Sequence, residues 1–162
     1  MTTFVGLLRG VNVGGNRMLK MEDLRKIFEK LGYTNVRTVL QSGNIIFDAK
    51  VRPRDLDAHV GTSVILRTQA EIAKIIEANP YPQEAEDDPG HLHVVFLSDA
   101  LPSDEPLRKV ATSAEKFVVK GHQIYIHFGD GAGRSKLAAS LTEKKLGVVC
   151  TARNWNTVRK LA

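Results

Sequence analysis

The sequence contains one cysteine and no long apolar run, and each of these two shortages excludes a class of protein. The single Cys150 cannot form an internal disulfide, which excludes a secreted domain held together by disulfides. The longest apolar run, residues 4–8, is far too short to cross a bilayer. Since that run also lacks a basic leader and a small-residue cleavage site, it does not resemble a signal peptide. We therefore expect a cytoplasmic protein with no membrane segment.

A strong excess of charge of one sign is also missing. Lys and Arg number 23 against 18 Asp and Glu, a net charge of +5, and the basic residues are scattered along the chain. This balance permits attraction to phosphate groups but lacks the clustered positive charge of a dedicated nucleic-acid-binding protein. We expect nucleic-acid binding to be weak at most and strongly dependent on salt. With 43% hydrophobic residues, the 162-residue chain can bury a substantial core.

Hydrophobic periodicity predicts the same order of elements twice. In the first half, a buried strand at residues 3–9 precedes a helix whose apolar stripe ends before Gly32. A hairpin, a short helix and another strand follow, and then Thr68 stands three residues before Glu71 in the capping-box pattern of a further helix. The second half repeats this order from residue 92, with a last strand at residues 148–150 and a final helix after it.

The order strand, helix, hairpin, helix, strand is that of the ferredoxin-like, or split βαβ, fold. We predict an α+β protein of two ferredoxin-like halves, each with an antiparallel sheet covered by helices, plus a C-terminal helix. The predicted domains are residues 1–80 and 91–162. Residues 81–90 form the predicted linker, because proline, glycine and acidic residues interrupt the periodicity there.

This topology predicts that two polar segments of the first half meet. A right-handed crossover makes the first two strands parallel, with the third strand antiparallel between them. The loop after the first strand and the hairpin then emerge at the same end of the sheet. We expect the following residues to converge there: Arg9, Asn12, Gln41, Ser42 and Asn44.

The loop that follows the first strand is rich in glycine, and it is the first candidate ligand site. Exposed backbone amides around Gly14 and Gly15 could surround an anion, with Arg9 and Lys20 as cationic donors. The loop has neither Walker nor GxGxxG spacing, so it predicts no dinucleotide site. A tight turn that uses glycine only for its conformational freedom is the alternative.

A second candidate lies at residues 129–136, where glycines lead into a helix start flanked by basic side chains. Ser135 and Lys136 are the proposed ligand contacts, because anions favour such places. The alternative is a flexible loop followed by an ordinary Ser135 N-cap.

A third candidate lies at residues 151–158. If this segment is helical, Trp155 faces the core while Arg153 and Asn156 face roughly the other way, so Arg153 is available to a ligand together with Asn154 and Asn156. The alternative is a surface helix whose asparagines bond to nearby backbone.

The sequence predicts neither a metal site nor a cofactor, and it identifies no catalytic residue. His91 and His93 would share one face of a strand, but two ligands are too few for a metal. No Ser-His-Asp or Cys-His constellation can be assigned from spacing.

Several spaced motifs resemble one family. The sequences RGVNVGG at residues 9–15, KM at 20–21 and QSGN at 41–44 look like the bacterial domain of unknown function numbered 1697. The sequences GRSKL at 133–137 and TARNWNT at 151–157 resemble its two C-terminal motifs, so the resemblance covers nearly the whole chain. Residues 52–63 depart from the family, since the chain looks shorter there. The resemblance implies two ferredoxin-like halves and no established activity.

Three functions remain open. The leading hypothesis is a protein that binds an anionic small molecule or nucleotide through its phosphate groups, or weakly binds RNA. The second is an enzyme acting on a small phosphorylated or acidic metabolite. The third is a protein-interaction module whose motifs only shape turns and helix caps. The oligomeric state also stays open.

Overall fold

Two four-stranded antiparallel sheets form the frame of the molecule, and each is built from one half of the chain. The computed structural model describes residues 1–9, 19–40 and 43–162. Contacts between residues divide the chain into two compact units, Met1–Ile75 with Lys160–Ala162 and Ile76–Arg159. The predicted α+β fold with two similar halves is confirmed. The exact limits of 1–80 and 91–162 as autonomous domains stay a prediction.

The first unit follows the predicted order of elements. Its elements are β1 (Thr2–Leu8), α1 (Met21–Lys30), β2 (Thr34–Val39), β3 (Asn44–Ala49), α2 (Leu56–Val60), β4 (Val64–Thr68) and α3 (Gln69–Glu77). Helix α1 ends at Lys30 with Leu31 as its C-cap, and Gly32 follows with a φ of 93°, which suits glycine. At the start of α3, the Thr68 hydroxyl accepts from the Glu71 amide and the Glu71 carboxylate accepts from the Thr68 amide, the predicted capping box.

The strand order of the first sheet is β2-β3-β1-β4, with every neighbouring pair antiparallel. Strands β1 and β2 therefore run parallel with β3 between them, as predicted. The Leu8 amide donates to the Gly43 carbonyl at 2.9 Å, so the end of β1 lies beside the β2–β3 hairpin. This contact shows that the end of β1 and the start of β3 lie at the same end of the sheet, as the predicted topology requires.

One face of the first sheet packs into a hydrophobic core beneath its helices. The core contains Phe28 of α1, whose ring lies 4.9 Å from Phe47 in an edge-on arrangement. Gly6 in β1 lets the Ile45 side chain pack closely against the strand, because a Cβ atom on residue 6 would lie 3.0 Å from that side chain.

The second unit repeats the order with additional short helices. Its elements are α4 (Pro82–Asp87), a 3₁₀ turn (Pro89–His91), β5 (Leu92–Leu97), α5 (Glu105–Arg108), β6 (Glu115–Lys120), β7 (Gln123–Phe128), α6 (Lys136–Ala139), α7 (Glu143–Leu146), β8 (Cys150–Asn154) and α8 (Trp155–Leu161). The sheet order is β6-β7-β5-β8, the counterpart of the first sheet.

Strand register reveals a duplication at the level of single residues, which the sequence alone does not display. Val5 of β1 lies opposite Arg67 of β4, and Val94 of β5 lies opposite Arg153 of β8. Both arginines are buried, and each donates to the carbonyl of the residue before it, at 3.0 Å and 2.9 Å respectively. Burial lowers the pKa of both guanidinium groups, that of Arg153 to about 10.

The residue after each of these arginines caps the following helix in the same way. The Asn154 side chain accepts from the Thr157 amide at 3.0 Å, as Thr68 accepts from the Glu71 amide at 3.0 Å. The two halves therefore share a buried arginine, a polar cap and a helix in a fixed order.

Three details of the second unit differ from the sequence prediction. The last strand is β8 at Cys150–Asn154 rather than residues 148–150, because pairing with β5 extends this polar segment. The repeated order predicts one helix between the hairpin and the last strand, but the structure has two, α6 and α7, since the Thr142 hydroxyl accepts from the Lys145 amide and starts a new helix. The segment at residues 81–90 contains α4, and its Glu84 accepts a hydrogen bond from Lys116 of β6.

His93 of β5 occupies the position that Phe4 has in β1, because their neighbours Val94 and Val5 correspond. Its ring packs edge-on against Phe128 with centroids 5.2 Å apart, and its Nδ1 has no hydrogen-bond partner among the described residues. Burial lowers its pKa below the usual 6.5, partly offset by a hydrogen bond with the His91 backbone.

We predict that His93→Phe makes stability less sensitive to acid. The unfolded histidine binds a proton near pH 6.5, whereas the folded ring binds one only at lower pH, so the fold loses stability as pH falls through this window. The slope is at most about 1.4 kcal/mol per pH unit. Urea unfolding between pH 5 and 8 measures it, and the exposed His59→Gln serves as control. An unchanged acid slope in His93→Phe would contradict this interpretation.

Candidate functional site

A cavity of about 450 Å³ lies beside the loop between β7 and α6, and this loop includes the second candidate segment of the sequence. The cavity is lined by this loop, by residues that follow α5 and by the first residue of β6. The lining residues are Lys109, Val110, Thr112, Glu115, Asp130, Gly131, Arg134, Ser135 and Lys136.

Close backbone contact fixes the start of this loop. The Gly129 amide donates to the Ala114 carbonyl at 3.0 Å, and a Cβ atom on Gly129 would lie only 2.5 Å from that oxygen. Only glycine fits at this position. Gly131 has a φ of 85°, in the left-handed region, which turns the chain towards α6.

Ser135 and Glu115 hold the far end of the loop. The Ser135 hydroxyl accepts from the Ala138 amide at 3.1 Å and donates to the Glu115 carboxylate. The other carboxylate oxygen of Glu115 accepts from the Thr112 amide at 2.9 Å. Ser135 is therefore the N-cap of α6, as the alternative hypothesis stated, and its hydroxyl proton is already committed to Glu115.

Three cationic side chains around the cavity have no such partner. Lys109, Arg134 and Lys136 are exposed, and none forms an ion pair or side-chain hydrogen bond with another described residue. Of the two carboxylates in the lining, Glu115 is occupied by Ser135 and Thr112, which leaves Asp130. Because a hydrogen-bonded carboxylate keeps its charge, the three cations and two carboxylates leave the lining with a net charge of +1.

Two histidines share one carboxylate oxygen close to this loop. Asp88 Oδ2 lies 3.1 Å from His91 Nδ1 and 2.9 Å from His127 Nε2. The hydrogen bond from His127, and then that from His91, lowers the pKa of Asp88. The His91 Nε2 atom points towards the loop and would lie 3.6 Å from a Cβ on Gly131.

The predicted pairing of His91 with His93 on one strand face is wrong. His91 lies in the 3₁₀ turn before β5 and contacts Asp88, whereas His93 lies within β5 and packs on Phe128. Within residues 1–9, 19–40 and 43–162, no group of three or more metal-ligating side chains could hold an ion.

The first candidate segment is only partly described. Asn12, Gly14, Gly15, Gln41 and Ser42 lie outside the described residues, so their predicted convergence stays a prediction.

Three proposed ligand contacts of the first half are described. Asn44 is fully buried and donates to the Val39 carbonyl at 2.8 Å, a contact that serves the β2–β3 hairpin. The Arg9 backbone is held by Thr62 and Ser63 at the start of β4. Lys20 is exposed directly before α1. These positions leave a ligand role for Arg9 and Lys20 as a prediction.

The helical-wheel argument for the third candidate segment is wrong for Arg153. This residue lies in β8, is 6% exposed, and donates from Nη1 to Thr151 Oγ1 at 2.5 Å. Trp155 is buried at the start of α8, as predicted. Asn154 caps α8, and Asn156 accepts from the Arg159 side chain at 2.9 Å. The segment makes internal contacts that stabilise the fold.

Sequence reasoning missed several residues that line the cavity. Lys109, Thr112 and Glu115 precede the loop by many positions and reach it only through the β6–β7 pairing. No local spacing signals that approach. Arg134 lies next to the proposed Ser135 and could have been included from the sequence.

The family can now be assigned. The family model described as "Protein of unknown function (DUF1697)" matches residues 1–125. The chain belongs to this family. The motifs at residues 133–137 and 151–157 lie beyond the matched range, so their resemblance to the family's C-terminal motifs stays a prediction.

A solved structure supports the fold over nearly the whole length. The conserved bacterial protein SP0830 from Streptococcus pneumoniae has a TM-score of 0.73 and 21% identity to this DUF1697 member, covering 99% of this chain and 96% of that chain. At this identity the likeness shows the fold alone. A search of curated proteins gave no match. In the part of the chain that the structure describes, no helix has the length and apolar character needed to span a membrane.

We predict that Arg153 stabilises the fold. Arg153→Ala should lower the free energy of unfolding by about 2–4 kcal/mol, because it removes a buried side chain and the donor to Thr151 and to the Ala152 carbonyl. The exposed Arg159→Ala is the matched control and should change it by about 0.5 kcal/mol or less. Denaturant unfolding measures both. If the two variants are equally stable, Arg153 does not stabilise the fold, and it becomes a candidate ligand contact again.

Proposed function

We propose that this DUF1697 member binds a small phosphate-bearing ligand in the cavity beside residues 129–136. The observation that carries this proposal is the set of three unpaired cations, Lys109, Arg134 and Lys136, around one cavity. A phosphate group would supply the acceptors that these side chains lack. The fixed backbone at Gly129 and Ser135 lets the loop hold its shape before the ligand arrives.

The exposure of the three cations limits the expected affinity. Charges near the surface interact through a high effective dielectric and are screened by salt. The cavity also includes the Asp130 and Glu115 carboxylates, which oppose an anion. We therefore expect a dissociation constant on the order of 0.1–1 mM at low salt, corresponding to a binding free energy of roughly 4–5.5 kcal/mol.

The lining favours recognition of phosphate over recognition of a base, because it contains no aromatic residue. An RNA-binding sheet typically presents aromatic side chains for stacking, and the cavity offers none. Together with the modest net charge of +5, this leaves nucleic-acid binding weak and dominated by backbone phosphates. We place the protein in the cytoplasm, where the buried thiol of Cys150 would stay reduced.

An enzyme acting on a phosphorylated metabolite is the second candidate, and the Asp88 cluster favours it. Asp88 holds His91 through Nδ1, an arrangement that leaves Nε2 to accept or donate a proton beside Gly131. Release of inorganic phosphate from a bound ester would distinguish an enzyme from a binding protein.

Titration calorimetry with inorganic phosphate tests the proposal. Arg134→Ala and Lys136→Ala should each weaken binding by about fivefold or more, because each removes a charge-assisted contact. Lys144→Ala is the matched control, since Lys144 is an exposed lysine of α7 that does not line the cavity. It should change the affinity less than about twofold. Equal weakening by Lys144→Ala, or no binding of phosphate to the unaltered protein, would refute the cavity as the site.

A further inference from the structure

The duplication points to a second loop that corresponds to the candidate cavity. The register that equates Val5 with Val94 also equates Ala49, the last residue of β3, with Phe128, the last residue of β7. In each unit the chain then passes through a loop into a short helix, α2 or α6. Residues 50–55 of the first unit are therefore the counterpart of residues 129–135.

This counterpart loop also borders an open groove, with a volume of about 570 Å³. Its lining residues are Tyr33, Val51, Arg52, Pro53 and Arg54. Two of these are cations and none is acidic, so the groove is electrostatically more favourable for an anion than the cavity of the second unit.

Arg52 is held in place at the groove. Its Nη2 donates to the Leu66 carbonyl at 3.3 Å, and its guanidinium lies 5.9 Å from the centre of the Phe4 ring. Arg54 is exposed and forms no ion pair or side-chain hydrogen bond with another described residue. One arginine is thus preorganised, and the other has all its donors available to a ligand.

Tyr33 gives this groove a feature that the second unit's cavity lacks. Its ring packs against Phe47 at 4.9 Å and Phe28 at 6.0 Å, which fixes its orientation at the groove wall. Val51, 76% exposed, and Pro53 add apolar surface to the lining of the groove. A ligand that matches both parts needs a flat aromatic group and a negative charge.

We propose that the groove of residues 33 and 51–54 binds a nucleoside 5′-phosphate. The base lies against Tyr33, Val51 and Pro53, and the phosphate accepts hydrogen bonds from Arg52 and Arg54. The site lies wholly within the first unit and does not depend on the phosphate site proposed for residues 129–136.

Equilibrium binding of adenosine 5′-monophosphate (AMP) tests this site. The titration uses the full chain carrying Arg134→Ala and Lys136→Ala, so that the second unit's cavity cannot account for binding. AMP should bind this background at least about tenfold more tightly than either adenosine or inorganic phosphate, because only AMP engages both parts of the groove.

Single substitutions added to that background locate the site. Arg54→Ala should weaken AMP binding by about tenfold, whereas Arg25→Ala, an exposed arginine of α1, should change it less than about twofold. Tyr33→Phe should retain binding, and Tyr33→Leu should lose it while the circular dichroism spectrum stays native.

Two outcomes would overturn this proposal. AMP affinity that is unchanged in Arg54→Ala or in Tyr33→Leu removes the groove as the binding site. AMP binding no tighter than that of inorganic phosphate removes the base from the ligand. The cavity proposal is tested separately. If Arg134→Ala as a single substitution abolishes phosphate binding, that proposal stands whichever of these two outcomes is found for AMP.

Discussion

In each half of the molecule, a central strand is hydrogen-bonded on both sides, and the arginine of its edge neighbour is buried at one fixed register. Arg67 opposite Val5 and Arg153 opposite Val94 each donate to the carbonyl of the residue before them. A one-residue slip of either edge strand would turn its arginine to the other face of the sheet. A buried guanidinium is costly without hydrogen-bond partners, so the register that provides these partners is strongly favoured. The same register places the next residue, Thr68 or Asn154, where it caps the following helix.

The pairing of β1 with β3 and of β5 with β7 determines where the loops at residues 50–55 and 129–135 lie. Both follow the third strand of their sheet and enter a short helix, although they share little sequence. The second unit closes its loop with a serine–glutamate contact between Ser135 and Glu115. The first unit instead holds Arg52 by a backbone carbonyl and an aromatic ring, and it adds Tyr33 to the groove. One duplicated position therefore presents two different sets of side chains, polar and charged groups in the second unit and arginines with an aromatic ring in the first.

Local signals made much of the fold predictable from the sequence. The capping box of Thr68 and Glu71 spans three residues, and the stop at Gly32 follows directly from the apolar stripe before it. The strand β8 was harder, because its polar residues carry no β pattern and it forms only by pairing with β5. The helical wheel therefore predicts an Arg153 side chain that faces a ligand, whereas the structure buries it within a sheet.

The candidate sites depend on contacts that sequence spacing does not encode. Ser135 and Lys136 could be proposed because they lie next to a glycine-rich loop. Lys109 joins them only through the folding of α5 and β6 against that loop. The contact of Asp88 with His127 likewise depends on long-range pairing, since the two residues are 39 positions apart in the sequence. Long-range pairing places these groups, whereas propensity and periodicity are local.

Amide NMR spectra recorded during addition of AMP to the unaltered protein test most directly whether the duplicated loops are the ligand sites. Binding at both loops predicts that the largest shift changes fall on Tyr33, Val51, Arg52 and Arg54 and on residues 130–136, and that β8 changes little. Shift changes confined to β8 and α8, or spread evenly over exposed basic residues such as Lys144, would contradict the assignment of ligand binding to these loops.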